Sequence, residues 1–367
     1  MTSRSRRLVL GLAVAASAVA GTAVAQSQLQ QDPLAPLAPG ASQPVLPTVV
    51  TTRLQPTAPA VLRDRVAALG RAFNGKAGIS VVSIKDGWQA EYGAATLYPQ
   101  QSCSKLWVAI AALDAVDRGR VRLDDRVTLG RDDLTLFHQP LRAKILGGGH
   151  TTSLSALMHT AITDSDNTAN DKLMRSIGGP TAVRDMIERK GLGSIRFYDG
   201  ERALQSKVAG LIWSQNYSIG DAFYKARGAL PLAVRRSSFE RYIADPYDGA
   251  APHAVAQALA RLKRGELLSP ASTSRLLSTM GSTKTGGMRV RAALAPGWKW
   301  SHKTGTGQNF QGRVGGINDI GILTAPDGTA YAMAIMTVPN KSDGTAQNLM
   351  QAVARAVIAA HPARYGG

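Results

Sequence analysis

A chain of 367 residues that is 44% apolar and 19% charged has the balance of a globular protein, which excludes wholesale disorder. Lysine and arginine number 43 against 25 acidic residues, a formal charge of +18. A single cysteine excludes an internal disulfide and any multi-cysteine zinc or iron–sulfur site. The six histidines show no paired metal-ligand spacing, so neither a metal nor a cofactor is expected.

Residues 1–25 read as an export signal. Arg4, Arg6 and Arg7 form a basic start, Leu8 to Ala20 is an apolar run too short for a membrane span, and Ala23-Val24-Ala25 is a cleavage site of the A-x-A type. Ser5-Arg6-Arg7 before Leu8-Val9-Leu10 fits either a twin-arginine signal or an ordinary basic n-region. The mature chain is expected to begin at Gln26, to work in the periplasm or outside the cell, and to have no membrane span and no partner subunit. Its strongly basic balance admits two readings, a solvated surface or attraction to anionic envelope polymers or a carboxylate-bearing substrate. Nucleic acid is not expected, because the chain is exported and carries no run of five like charges.

Residues 26–57 form a linker rich in Gln, Pro, Ala and Thr, in which Pro33, Pro36, Pro39, Pro44 and Pro47 block both helix and sheet. Residues 58–367 read as one domain. Val61, Val66, Leu69 and Phe73 are spaced for a helix. A strand follows at 78–84, then an Asp86-Gly87 hairpin turn and a return strand from Trp88 to Tyr92. A helix begins near Ser102 and runs through Leu106, Ile110 and Leu113. Leu154, Leu157, Met158 and Ile162 share the face of another, and a further helix follows Asn167 until Gly178-Gly179-Pro180. Helical patterns return at 254–262 and 272–280. The end reads strand (298–302), strand (316–323), an Asp327-Gly328 turn, strand (330–338) and helix (347–360). Strands at both ends around a helical middle predict an α/β fold of the α+β sandwich kind: an antiparallel sheet built from both chain ends, plus an all-helical lobe.

Three short motifs carry chemistry. Ser102-Cys103-Ser104-Lys105 fits S-x-x-K at the opening of a helix. There the serine hydroxyl meets unsatisfied N–H groups, and a lysine three residues on lies on the same face. A neutral lysine amine can take the serine's proton, although a serine cap beside an unrelated lysine fits the same residues. Ser165-Asp166-Asn167 follows the Leu154–Ile162 helix, and all three residue types also cap helices. Lys303-Thr304-Gly305 follows a strand-like stretch and precedes Thr306-Gly307. A lysine, a hydroxyl and a glycine on a strand edge can hold a substrate carboxylate. A second such triplet, Lys284-Thr285-Gly286, lacks the preceding strand and reads as coincidence. Cys103 is either a reactive thiol or a small buried hydrophobe.

In this order the three motifs resemble those of the class A β-lactamases and the wider penicillin-recognising serine hydrolases. The likeness spans about residues 60 to 362 and includes Gly178-Gly179-Pro180, Gly265-Glu266-Leu267-Leu268 and Ala292 to Trp298. It implies Ser102 as nucleophile, with Lys105, or Glu201 through a water, as the base that takes its proton. Ser165 relays a proton to the leaving nitrogen, and Asn167 holds the substrate amide. Lys303, Thr304, Gly305 and Thr306 bind the substrate, with an oxyanion hole from the Ser102 and Thr306 N–H groups. The family's glutamate base is carried over to Glu201 in Glu201-Arg202-Ala203-Leu204-Gln205, 36 residues after Ser165. Gln205 stands where the family usually has asparagine. Arg313 is either a partner for the substrate carboxylate or a surface arginine.

Three departures stand out. Asp171 occupies the position of an asparagine that braces the glutamate, and two close carboxylates raise one pKa. Asp199 replaces an arginine that clamps the glutamate's loop, while Asp248-Gly249-Ala250-Ala251-Pro252 resembles that loop's exit, so the clamp is expected to be lost. The loop is extended over 206–247, with Trp213, Tyr217, Phe223, Tyr224 and Tyr242 as a lid or as a packed excursion. The expectation is an exported serine β-lactamase working through an acyl-enzyme on Ser102. Its rivals are a D-alanyl-D-alanine peptidase or esterase of the same fold, and a non-catalytic envelope-binding protein.

Overall fold

The computed structural model describes residues 57–362. The expected signal peptide and nearly all of the linker lie outside the described residues. The main sheet has five antiparallel strands: β1 (Gly75–Ser83), β2 (Gln89–Tyr92), β3 (Lys299–Thr306), β4 (Ile317–Thr324) and β5 (Ala330–Pro339), in the order β2-β1-β5-β4-β3. The pairing of β1 with β5 (Gly75↔Pro339 to Ser83↔Tyr331) joins the two ends of the domain, as the strand–helix–strand pattern requires.

All ten residues of β5 are buried, so the sheet is covered on both faces. Tyr331, Met333 and Ile335 face a core made with Leu62 and Val66 of the Ala60–Ala72 helix and Leu349, Met350 and Val353 of the Thr345–Ala360 helix. Ala332, Ala334 and Met336 face the other core, which holds Val255 and Leu259 of the Pro252–Lys263 helix. That second core continues into the helical lobe, whose axis is the Lys105–Asp117 helix. Every residue from Lys105 to Ala115 is buried, which is why this helix is apolar all round rather than striped. The helices Leu154–Thr163, Asn167–Ser176 and Gly179–Arg189 pack around it.

The region expected as an extended loop is largely helical. It forms Ala222–Ala229 and Leu232–Ala244, preceded by Glu201–Val208. Two aromatic anchors hold it down. Phe223 meets Phe137 edge-on at 5.2 Å between ring centres, and Phe239, Tyr242 and Ile243 bury against Leu204 and Val208. Among the described residues no helix is long and apolar enough to cross a membrane.

Candidate active site

Ser102 lies in a single tight turn, Gln101–Ser104, that leads into the Lys105–Asp117 helix. The sheet fixes this turn. Asn318 of β4 donates through Nδ2 to the carbonyls of Pro99 (2.7 Å) and Gln100 (3.0 Å). Opposite Asn318 in the register is Gly305 of β3, and a Cβ there would lie 2.4 Å from the Gln100 carbonyl oxygen. Glycine at 305 is therefore what lets the strand approach the nucleophile's turn. The turn is also strained: Gln101 has φ 54°, and Phe137 and Ser165, which border the same site, both have φ 61°. Such left-handed non-glycine residues cost about 1–3 kcal/mol each and persist where their surroundings over-determine them.

Lys105 Nζ, fully buried, lies 2.9 Å from Ser102 Oγ and 2.8 Å from Asn167 Oδ1, and it also contacts the Glu201 carboxylate directly. Glu201 Oε2 accepts from Gln205 Nε2 at 3.1 Å, so the glutamine in place of asparagine reaches the carboxylate. Within Ser165-Asp166-Asn167, capping falls to the aspartate alone. Asp166 Oδ1 accepts from Ala169 N at 2.8 Å and Oδ2 from Leu141 N at 2.7 Å. Ser165 and Asn167 are thereby free to face the site. Ser165 Oγ accepts from Lys303 Nζ at 2.9 Å, which ties the second motif to the third. Burial first, and then Lys105, bring the Lys303 ammonium down to about 7.

A cavity of about 340 Å³ opens on these groups. Ser102, Asn167, Gln205 and Thr306 line it, together with Tyr224 and Arg227 of the inserted helix. The insertion is thus both packed and part of the cleft wall. Across the mouth, Gln308 donates through Nε2 to the Gln205 carbonyl (2.8 Å) and side-chain oxygen (3.0 Å).

Several expectations need correction. Arg313 does not serve the strand of Lys303-Thr304-Gly305: its Nη1 is held by Glu240 at 2.8 and 2.9 Å. The guanidinium that reaches that strand is that of Arg289, which lies just before the Val290–Ala293 turn and which sequence spacing did not mark. Its Nη2 reaches Thr306 Oγ1 at 2.5 Å and its Nη1 the Gly305 carbonyl at 3.0 Å. Lys284-Thr285-Gly286 is not an unrelated coincidence, because Thr285 Oγ1 lies 2.7 Å from Thr304 Oγ1. Cys103, by contrast, takes the second of its two expected roles, a small buried hydrophobe: burial pushes its thiol up to about 12, and its Sγ lies 3.5 Å from the Lys303 carbonyl oxygen.

The glutamate's loop is anchored in a new way. Asp199 pairs outward with Arg184 at 2.9 Å. Asp248, instead of meeting an arginine, turns to the nucleophile's turn. Its Oδ2 accepts from the Gln101 N–H at 2.8 Å and its Oδ1 from the Tyr242 hydroxyl at 2.9 Å. Gln101 Nε2 closes the ring on Tyr242 at 2.7 Å. The clamp is replaced rather than lost, and a residue of the insertion completes it. Burial lifts the Asp248 carboxyl to about 7. Asp171 keeps the bracing role by accepting from the N–H of Glu201 (2.9 Å) and of Arg202 (3.3 Å), and burial, then Glu201, raise its pKa. Gly200, with φ 87°, makes room: a Cβ there would lie 2.9 Å from Asp171 Oδ1.

The family model described as "Beta-lactamase enzyme family" matches residues 61–361. The β-lactamase CTX-M-8 of Citrobacter amalonaticus is 25% identical over 298 residues, 81% of this chain and 88% of that protein. The crystal structure of a β-lactamase from Chitinophaga pinensis superposes with a TM-score of 0.67 at 25% identity, covering 82% of this chain and 99% of that one. An ancestral class A β-lactamase, GNCA, superposes at 0.65 with 29% identity, covering 82% and 99%. With its mixed helical and antiparallel fold and its three motifs around one cleft, the chain belongs to the β-lactamase enzyme family, in the class A serine branch.

Proposed function

We propose that this chain hydrolyses the amide bond of β-lactams through an acyl-enzyme on Ser102. The observation that carries the reading is the buried array in which Lys105 contacts Ser102 Oγ, Asn167 and Glu201 at once. Ser102 attacks the lactam carbonyl and Lys105, or Glu201 through a water, takes its proton. The N–H groups of Ser102 and Thr306 receive the developing oxyanion, a contribution of about 3 kcal/mol per donor in such sites. Ser165 passes a proton to the leaving nitrogen, Asn167 holds the acyl amide, and Lys303, Thr304 and Arg289 bind the carboxylate. Glu201, steadied by Gln205 and Asp171, then activates the water that frees the product. The protein acts after export and cleavage at Ala25, a reading supported by the basic and apolar leader and its cleavage site.

Time-resolved mass spectrometry with a chromogenic cephalosporin, read beside the colour change, tests this. Continuous colour with a transient adduct on Ser102 is expected. A lasting adduct after one burst replaces the reading with a peptidase or esterase of the same fold. No adduct overturns the serine mechanism and leaves the envelope-binding alternative.

A further inference from the structure

The inserted helix Ala222–Ala229 brings a cation into the cleft that the steps above do not use. Arg227 lines the same cavity as Ser102. Its guanidinium lies 5.5 Å from the Tyr224 ring centre and 5.7 Å from that of Phe223, and Nη1 is 3.4 Å from Gln308 Oε1. Arg235 stands behind it, 5.7 Å from the Phe310 ring, with a buried Nε that has no hydrogen-bond partner among the described residues.

The acids of the insertion are engaged elsewhere: Asp221 with Lys225, Glu240 with Arg313, and Asp245 with Arg196. Among the described residues neither Arg227 nor Arg235 has a carboxylate partner. Burial and the like charge of Arg235 both depress the Arg227 pKa. A guanidinium in the cleft wall and a second behind it, both held on aromatic faces and with no counter-ion among the described residues, form a place that an anion completes. Arg289 already stands at Thr306 and Arg227 at Gln308, two residues further along, so the cleft offers two cations at successive points.

We propose that Arg227, backed by Arg235 and flanked by Tyr224 and Phe137, is a specificity subsite that selects β-lactams carrying a second carboxylate on the acyl side chain. This rests on the β-lactam reading above. Arg289, Lys303 and Thr304 take the carboxylate common to such substrates, and Arg227 takes the additional one.

The test compares benzylpenicillin with its α-carboxy derivative in the full mature chain, in Arg227→Ala and in Arg227→Lys. The readouts are adduct formation on Ser102 and the ratio of the two kcat/KM values. The ratio should favour the α-carboxy compound by about fivefold, the effect of a half-exposed ion pair. It should shrink at high salt in the unaltered protein, collapse in Arg227→Ala and be largely restored in Arg227→Lys. Adducts with both compounds but a ratio that ignores salt, or is equal in all three proteins, overturn the subsite and leave the β-lactam reading standing. No adduct from either compound overturns both.

Discussion

Replacing Asp248 by asparagine tests the clamp that joins the glutamate's loop to the nucleophile's turn. The carboxyl is fully buried and loses its proton near pH 7 in the folded protein, against an ordinary aspartate value of 3.8. The folded state therefore binds the proton more tightly than the unfolded chain does. The stability this group carries is fully present below about pH 4 and is lost as pH rises to about 7, at roughly 1.4 kcal/mol per pH unit and roughly 4 kcal/mol in all. Asparagine does not titrate, yet its oxygen can still accept from the Gln101 N–H. The unfolding free energy of the unaltered protein minus that of Asp248→Asn should fall by about 2.5 kcal/mol between about pH 5 and about pH 8. Urea unfolding followed by tryptophan fluorescence at several pH values measures it. Other buried acids such as Asp166 and Asp171 are present in both proteins and cancel in the difference. Parallel stability curves would show that Asp248 does not titrate near neutrality, and the account of the clamp would fail.

Glu201→Gln should still acylate but lengthen the lifetime of the Ser102 adduct by about 10²- to 10⁴-fold, the usual contribution of a general base; unchanged steady-state turnover would show that another group activates the water. Arg289→Ala should raise KM for a β-lactam by about tenfold through a lost charge-assisted contact, with kcat affected less. An unaltered KM would place the carboxylate elsewhere. Lys303 is charged below about pH 7 and neutral above it in the free protein, so affinity for the dicarboxylate hydrolysis product should weaken as pH rises through neutrality. Titration calorimetry that finds equal affinity on both sides of pH 7 would contradict that.

The framework was legible along the chain because its signals are local or periodic. The runs at 78–84 and 330–338 read as strands, and they pair as β1 and β5. Ser102 and Lys105 are one helical turn apart, so their contact follows from spacing alone. Tertiary structure decided everything that depends on which distant residue fills a given space. Spacing along the chain pointed to Arg313 and left Arg289 unmarked, but the guanidinium that contacts β3 is that of Arg289, while Glu240 captures Arg313. The loss of the clamping arginine was visible at Asp199, but its replacement was not. Asp248, Tyr242 and Gln101 are brought together only by burial, across as many as 147 positions of chain. The insertion's aromatics announced a packed element without saying what it packs on. Phe223 had to find Phe137 before Tyr224 and Arg227 stood in the cleft, since an aromatic anchor specifies that a surface will be buried and leaves the choice of surface to the rest of the fold.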